Sequence, residues 1–227
     1  MKSEQQIQKA ASAVVSFTDS YVQNKQGKQI EQTESESILS LAQITSSLEY
    51  LRDKIWNNNS CKLVIQIPKL LQSLFALSLY TIDTHISLEL NQQRIELRSR
   101  SRKCLYWIQW NSDAQDQQDL VNNEYGRVMF ISFCTAGGIS DENNKEICNG
   151  LFYIYWFLKD LHEGRNYRQP SFRPLPLLVR ITEEQIEEEG ASEEFDAQIK
   201  NNEYDGYIRK WANEAKAAIM NRFIHRG

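Results

Sequence analysis

The stretch HISLELNQQRIELRSRSRKCLYWIQW, His85 to Trp110, decides the fold class of this 227-residue chain. Read with helical spacing, Ile82, Ile86, Leu90, Leu97, Cys104 and Ile108 fall roughly on one side. Read with strand spacing, Ile86, Leu88 and Leu90, then Ile95 and Leu97, alternate with polar residues. Glycine arbitrates. None occurs between Gly27 and Gly126, and Pro68 is the sole proline there. Tight hairpins usually call for Gly, Asn-Gly or Asp-Gly, so the helical reading is adopted. A mainly α fold results; the alternative is α+β, with a small antiparallel meander over residues 85–134.

Upstream of this stretch, Ile7, Ala10, Val14, Phe17 and Tyr21 recur at three- and four-residue steps, predicting a first helix over about Glu4 to Gln23. Thr33-x-x-Glu36 matches a capping box. Beyond it Leu41, Ile44, Leu48, Leu51 and Ile55 form a heptad seam for packing against another helix. Residues 1–60 therefore read as a helical hairpin. Asn57 to Ser60 reads as a loop, Lys62 to Ile67 as a short strand or extended lead-in, and Pro68 as the first position of a helix over Leu70 to Ile82.

Downstream, Asn111 to Asn123 is polar and reads as a loop, and Val128 to Cys134 is apolar. Ser140 is a candidate N-cap for a helix that runs through Leu151-Phe-Tyr-Ile-Tyr-Trp-Phe-Leu158 to Gly164. Eight successive large apolar residues predict a central, buried turn. Asn166 to Leu178 holds three of the four prolines and reads as extended. An acidic helix capped by Thr182-x-x-Gln185, a break at Gly190, a restart at Ser192 and a last helix after Asp205-Gly206 complete the chain. That last helix carries Ile208, Trp211, Ala212, Ala215, Ile219 and Phe223 on one face. The expected organisation is a helical core at 1–165, an extended Pro-containing linker at 166–181, and an acidic arm with a docking helix at 182–227.

Two charged segments and their aromatic neighbours are the functional candidates. Arg94, Arg98 and Arg102 succeed one another at i, i+4 and line one ridge of a helix, joined by Lys103 and flanked by Tyr106, Trp107 and Trp110. Cations beside aromatic rings suit an acidic protein surface, or phosphates and stacked bases. Ten acidic residues against Lys200 between Glu183 and Asp205 give a local charge of −9, which a basic partner or plain solvation would satisfy. Trp211 adds a ring to the docking helix. The expected partner-binding residues are thus Arg94, Arg98, Arg102, Lys103, Trp107, Trp110 and Trp211, and changing Arg98 and Arg102 to Glu is expected to break association. Arg173-Pro-Leu-Pro-Leu-Leu178 has the arginine and Leu-Pro core of a polyproline ligand, though a segment strapped over its own core reads better.

Catalytic chemistry has little support. Cys134 before Thr-Ala-Gly-Gly lacks any fixed spacing to His85 or His162. Gly137-Gly138 lacks a phosphate-cradling pattern, and Asp160, His162 and Glu163 are not spaced to converge. The four cysteines, Cys61, Cys104, Cys134 and Cys148, form no C-x-x-C pair, so neither a zinc site nor a cofactor is expected. Cysteines expected as buried thiols point to cytoplasm or nucleus. The longest strongly apolar run, Leu70 to Ile82, is 13 residues, short of the roughly 20 that span a bilayer. The Met1-Lys2-Ser3-Glu4 start leads into a polar, Gln-rich segment rather than a signal core. With a net charge of −4, a wholly basic nucleic-acid coat is disfavoured. The function expected is a non-catalytic adaptor or scaffold subunit of a protein complex. A nucleic-acid-associated accessory subunit using residues 94–110 is the alternative, and an enzyme with an unrecognised cysteine or histidine site ranks third.

Overall fold

The computed structural model describes residues 2–25, 34–56, 58–81, 87–134 and 144–220. The chain is mainly α: eleven α-helices are present among the described residues, with no strand beyond one isolated backbone bridge. It divides into two compact units, Met1–Ser112 and Asp113–Gly227.

The first unit comprises α1 (Lys2–Lys25), α2 (Glu34–Trp56), α3 (Asn58–Ile65), α4 (Leu70–Ser78) and α5 (Leu88–Asn111). The heptad seam of α2 is real: Leu41, Ile44, Leu48, Leu51 and Ile55 are all buried. On α1, which packs against α2, the buried stripe is Ile7, Ala11, Val14 and Thr18. Ala10, Phe17 and Tyr21 are only half-buried, because a straight helix repeats every 3.6 residues and the stripe drifts onto Ala11 and Thr18. Thr33 lies outside the described residues.

The deciding stretch is one continuous helix. Ser87 opens α5, its hydroxyl accepting from the Leu90 amide at 3.2 Å, and no glycine or proline interrupts the helix before Asn111. The meander is therefore replaced by helices from Ser87 to Cys134, while His85 and Ile86 lie outside the described residues. Leu97, Cys104, Leu105 and Ile108 are buried along α5. The Cys104 thiol donates to the Leu48 carbonyl at 3.4 Å, and the Asn111 amide donates to the Ile55 carbonyl at 2.8 Å. Both pairs are 56 residues apart, so α2 and α5 run in the same direction and end together.

Three local expectations give way here. Asn58 to Ile65 is helical rather than loop and strand, its apolar Cys61 and Val64 sharing a buried face at a three-residue step. Pro68 precedes the helix it was expected to start, because Lys69 adopts a left-handed φ of 63° between them. α4 stops at Ser78, before the expected Ile82, as the amides of Leu79 and Tyr80 turn back onto Ala76 and Leu77.

The second unit holds α6 (Ala114–Asn122), α7 (Tyr125–Ile131), α8 (Asn144–Glu163), α9 (Pro176–Glu187), α10 (Ala191–Ile199), a short 3-10 turn (Tyr204–Gly206) and α11 (Tyr207–Met220). The expected loop at 111–123 is mostly helix, because Asp113 and Asp116 build a reciprocal capping box and Leu120 and Val121 are buried. α8 is central, packed on α7, α9 and α11. Gly150 permits the close approach to α7: a Cβ there would meet the Ser132 hydroxyl at 2.3 Å. Gly164, at φ 73°, ends α8 as expected. Ser140 lies outside the described residues, as does Phe223.

The segment expected as a linker, 166–181, lies inside this unit. Arg165 and Phe172 exchange both backbone hydrogen bonds, the Leu175 amide reaches the Leu161 carbonyl at 2.9 Å, and α9 begins at Pro176. A proline suits this first helical position because its missing N–H has no partner there in any case. Thr182 is therefore no cap. It sits buried in mid-helix, its hydroxyl donating to the Leu178 carbonyl at 2.8 Å.

Candidate functional site

Arg94, Arg98 and Arg102 do share one ridge of α5, but it faces inward: they are 8%, 3% and 1% exposed. That ridge shares its turns with Leu90, Leu97 and Leu105, so the helix phase that buries the leucines also buries the guanidiniums. Arg94 donates to the Asn91 side-chain carbonyl at 3.1 and 2.5 Å. Arg100, on the outer side, bridges Glu49 and Glu96, both at 2.9 Å. The expected ridge is thus an internal feature, and only Arg100 and Lys103 of this basic run are half-exposed.

The aromatic part of the expected site does reach the surface. Trp107 and Trp110 are half-buried at the end of α5. Trp56, the last residue of α2, stacks on Trp107 with centroids 4.6 Å apart and planes at 29°, and is 62% exposed. Trp107 meets Trp110 edge-on at 6.3 Å, and Tyr106 closes the cluster at 5.0 and 5.9 Å. Because α2 and α5 end side by side, these rings form one face. Trp56 escapes sequence reading because it comes after Ile55, outside the apolar seam. An unneeded large apolar residue beside a complete seam is the signal that could have found it.

A second aromatic wall stands in the other unit. Half-buried Trp211 of α11 meets Phe152 at 4.8 Å and Tyr155 at 5.5 Å on α8. The octet Leu151–Leu158 is therefore not wholly buried: Phe152, Tyr155 and Trp156 turn to this wall. Lys210 lies 4.8 Å over the Trp211 ring, and Lys159 lies 5.1 Å over the Trp156 ring. Burial pulls the Lys159 ammonium down, but Tyr155, Glu163 and Glu214 outweigh it and hold it above the ordinary lysine range. A cleft of about 440 Å³ adjoins, lined by Tyr155, Lys159, His162, Glu163 and Glu214 among others. Its one ammonium faces two carboxylates, Glu163 and Glu214, so the lining gathers no concentrated positive charge for an anionic ligand.

The titratable candidates are brought into structural pairings. Asp160, fully buried, accepts from Tyr167 at 2.7 Å, Arg168 at 3.0 Å and Arg165 at 3.5 Å. Burial, then the Arg168 charge, lowers Arg165 to about 10. His162 stands 3.3 Å from the buried Glu183 carboxylate. Half-buried Cys134 contacts Glu194 at 3.6 Å, a carboxylate rather than the imidazole a nucleophilic thiol would use. No group of three His, Cys, Asp or Glu side chains is placed to hold a metal among the described residues.

The acidic segment is largely spoken for. Glu183 and Glu194 are buried. Glu184 pairs with Arg180 at 2.8 Å, Glu189 with Arg127 at 2.6 Å, Asp196 with Lys216, and Glu203 accepts from Asn144. No helix among the described residues is long and apolar enough to cross a membrane.

Comparison of the chain with protein-family models, curated proteins and solved structures finds no match.

Proposed function

We propose that the chain is a non-catalytic adaptor or scaffold subunit that docks other proteins through the Trp56, Trp107 and Trp110 face. The exposed Trp56 ring, stacked on Trp107, carries this reading. Trp residues dominate binding energy at protein interfaces, where a rigid ring covers a large area at low entropic cost. In a monomer the same ring exposes apolar surface with nothing gained in the core. Lys103, one turn before Trp107, extends the face, and Trp211 offers a secondary ring in the other unit.

Burial of the arginine ridge shifts support away from a nucleic-acid role, because counterion release needs exposed cations. Cys61, Cys104 and Cys148 are buried, the usual setting of inert structural thiols, which supports cytoplasm or nucleus as the compartment.

The test is affinity purification of the tagged full chain from native extract, beside Trp56→Glu. Loss of the wild-type partner set from the variant is expected. An unchanged partner set, or recovery dominated by nuclease-sensitive material, overturns the reading.

A further inference from the structure

The Arg173-Pro-Leu-Pro-Leu177 segment is not a polyproline helix, since Pro176 already begins α9. It is instead a fixed, exposed edge. Arg173, Pro174, Pro176 and Leu177 are all exposed, Leu177 at 67%. The backbone behind them is held by the Arg165–Phe172 bridge and the Leu175 bond to Leu161. Beside the edge, Ala114, Gln115 and Gln118 complete a groove of about 330 Å³, roomy enough for an indole ring.

This edge and the tryptophan face are chemically complementary. Proline rings and a leucine pack on indole faces, and a guanidinium stacks there by cation–π attraction. Preorganisation lowers the ordering cost on both sides. The units that carry them are also complementary in charge. Met1–Ser112 contains 13 basic and 10 acidic residues, a net +3, whereas Asp113–Gly227 contains 13 basic and 20 acidic, a net −7. Such opposite fields steer encounter between the first unit of one molecule and the second unit of another.

We infer that the Arg173–Leu177 edge of one copy docks on the Trp56–Trp107 face of a second copy. The contact uses two different patches, so it is head-to-tail: an open oligomer keeps one free patch of each kind at its ends, and a closed ring keeps none. This inference rests on the proposed docking role of the tryptophan face, and it makes self-assembly and partner capture compete for that face.

The test uses the full chain and two variants, Trp56→Glu and Leu177→Glu, each changing an exposed side chain. Far-UV circular dichroism and thermal melts establish that each folds; Trp56→Ser and Leu177→Ser replace them where a carboxylate disturbs folding. Sedimentation velocity of the wild type across the micromolar range is expected to show mass rising with concentration. Each variant alone is expected to stay monomeric, because each lacks one half of the contact. Their equimolar mixture is expected to form a species of twice the monomer mass and nothing larger, since Leu177→Glu keeps its face and Trp56→Glu keeps its edge. A monomeric wild type, or a mixture that stays monomeric, overturns the inference. If Trp56→Glu nonetheless loses the partners captured by a monomeric wild type, the docking role stands and the second copy is the wrong occupant. If partner capture is unchanged as well, both readings fall.

Discussion

Asn111 donates its side-chain amide to the carbonyl of Ile55 at 2.8 Å, and so fastens the end of α5 to the end of α2. The bond satisfies one of the carbonyls that the last turn of α2 leaves without a helical partner. It also sets the level at which Trp56 and Trp107 meet. Packing and proposed function are joined at this point.

Asn111→Ala removes that donor and leaves a carbonyl in a buried setting. A loss of about 1–3 kcal/mol is expected from an unsatisfied buried acceptor. Urea unfolding measures it, and a midpoint equal to that of the wild type would show the bond to be dispensable.

The arginine ridge and the tryptophan face respond oppositely to charge. Arg102, 1% exposed, becomes a carboxylate in a dry setting in Arg102→Glu, with an expected cost of about 3–5 kcal/mol or more. Trp56→Glu changes a side chain 62% exposed and is expected to stay within about 1 kcal/mol of the wild type. The Arg98→Glu and Arg102→Glu pair therefore abolishes association by unfolding, which thermal melts distinguish from a lost contact.

A buried thiol and a half-buried phenol of the first unit give stability an alkaline limit. Burial raises the Cys104 thiol from 9.0 to about 12, and burial with the neighbouring Tyr21 raises the Tyr80 phenol from 10.0 to about 12. In each the folded state holds its proton more tightly than the unfolded chain does. Their contribution is complete below pH 9 and is lost as the pH climbs from there towards 12. The slope is at most about 1.4 kcal/mol per pH unit for each group. Urea midpoints are expected to hold from pH 7 to 9 and to fall above it; a flat profile to pH 11 would contradict the raised values of both groups.

Asp160 accepts from Arg165, Arg168 and Tyr167 at once. Asp160→Asn removes the buried carboxylate charge that both guanidiniums face. A loss of about 3–5 kcal/mol is expected from breaking a buried ion pair, together with faster proteolysis around residues 166–175. An unaltered melt with unaltered proteolysis would refute this role.

Helix type was legible because it depends on local spacing. The α2 seam, the Gly164 stop, the Gly190 break and the start of the last helix after Gly206 all derive from single residues or short periods. Facing was not legible for α5. Leucines at 90, 97 and 105 and arginines at 94, 98 and 102 occupy the same turns, and only the partner helices decide which side is inside. Capping also escaped in a polar context: Asp113 and Asp116 open a helix in a stretch that composition alone reads as loop. The aromatic face was half visible, since Trp107 and Trp110 stood beside a basic run, whereas Trp56 joins them only because α2 and α5 end together.

Oxidative footprinting at tryptophan, read by mass spectrometry, reports most directly whether Trp56 is a contact. The chain is oxidised once after purification to homogeneity, at a dilution that keeps it monomeric, and once in native extract, with half-buried Trp156 as an internal comparison. Trp56 is expected to be readily oxidised in the isolated chain and strongly protected in the extract. Equal oxidation of Trp56 in both states would contradict the claim that this face is covered when the protein is at work.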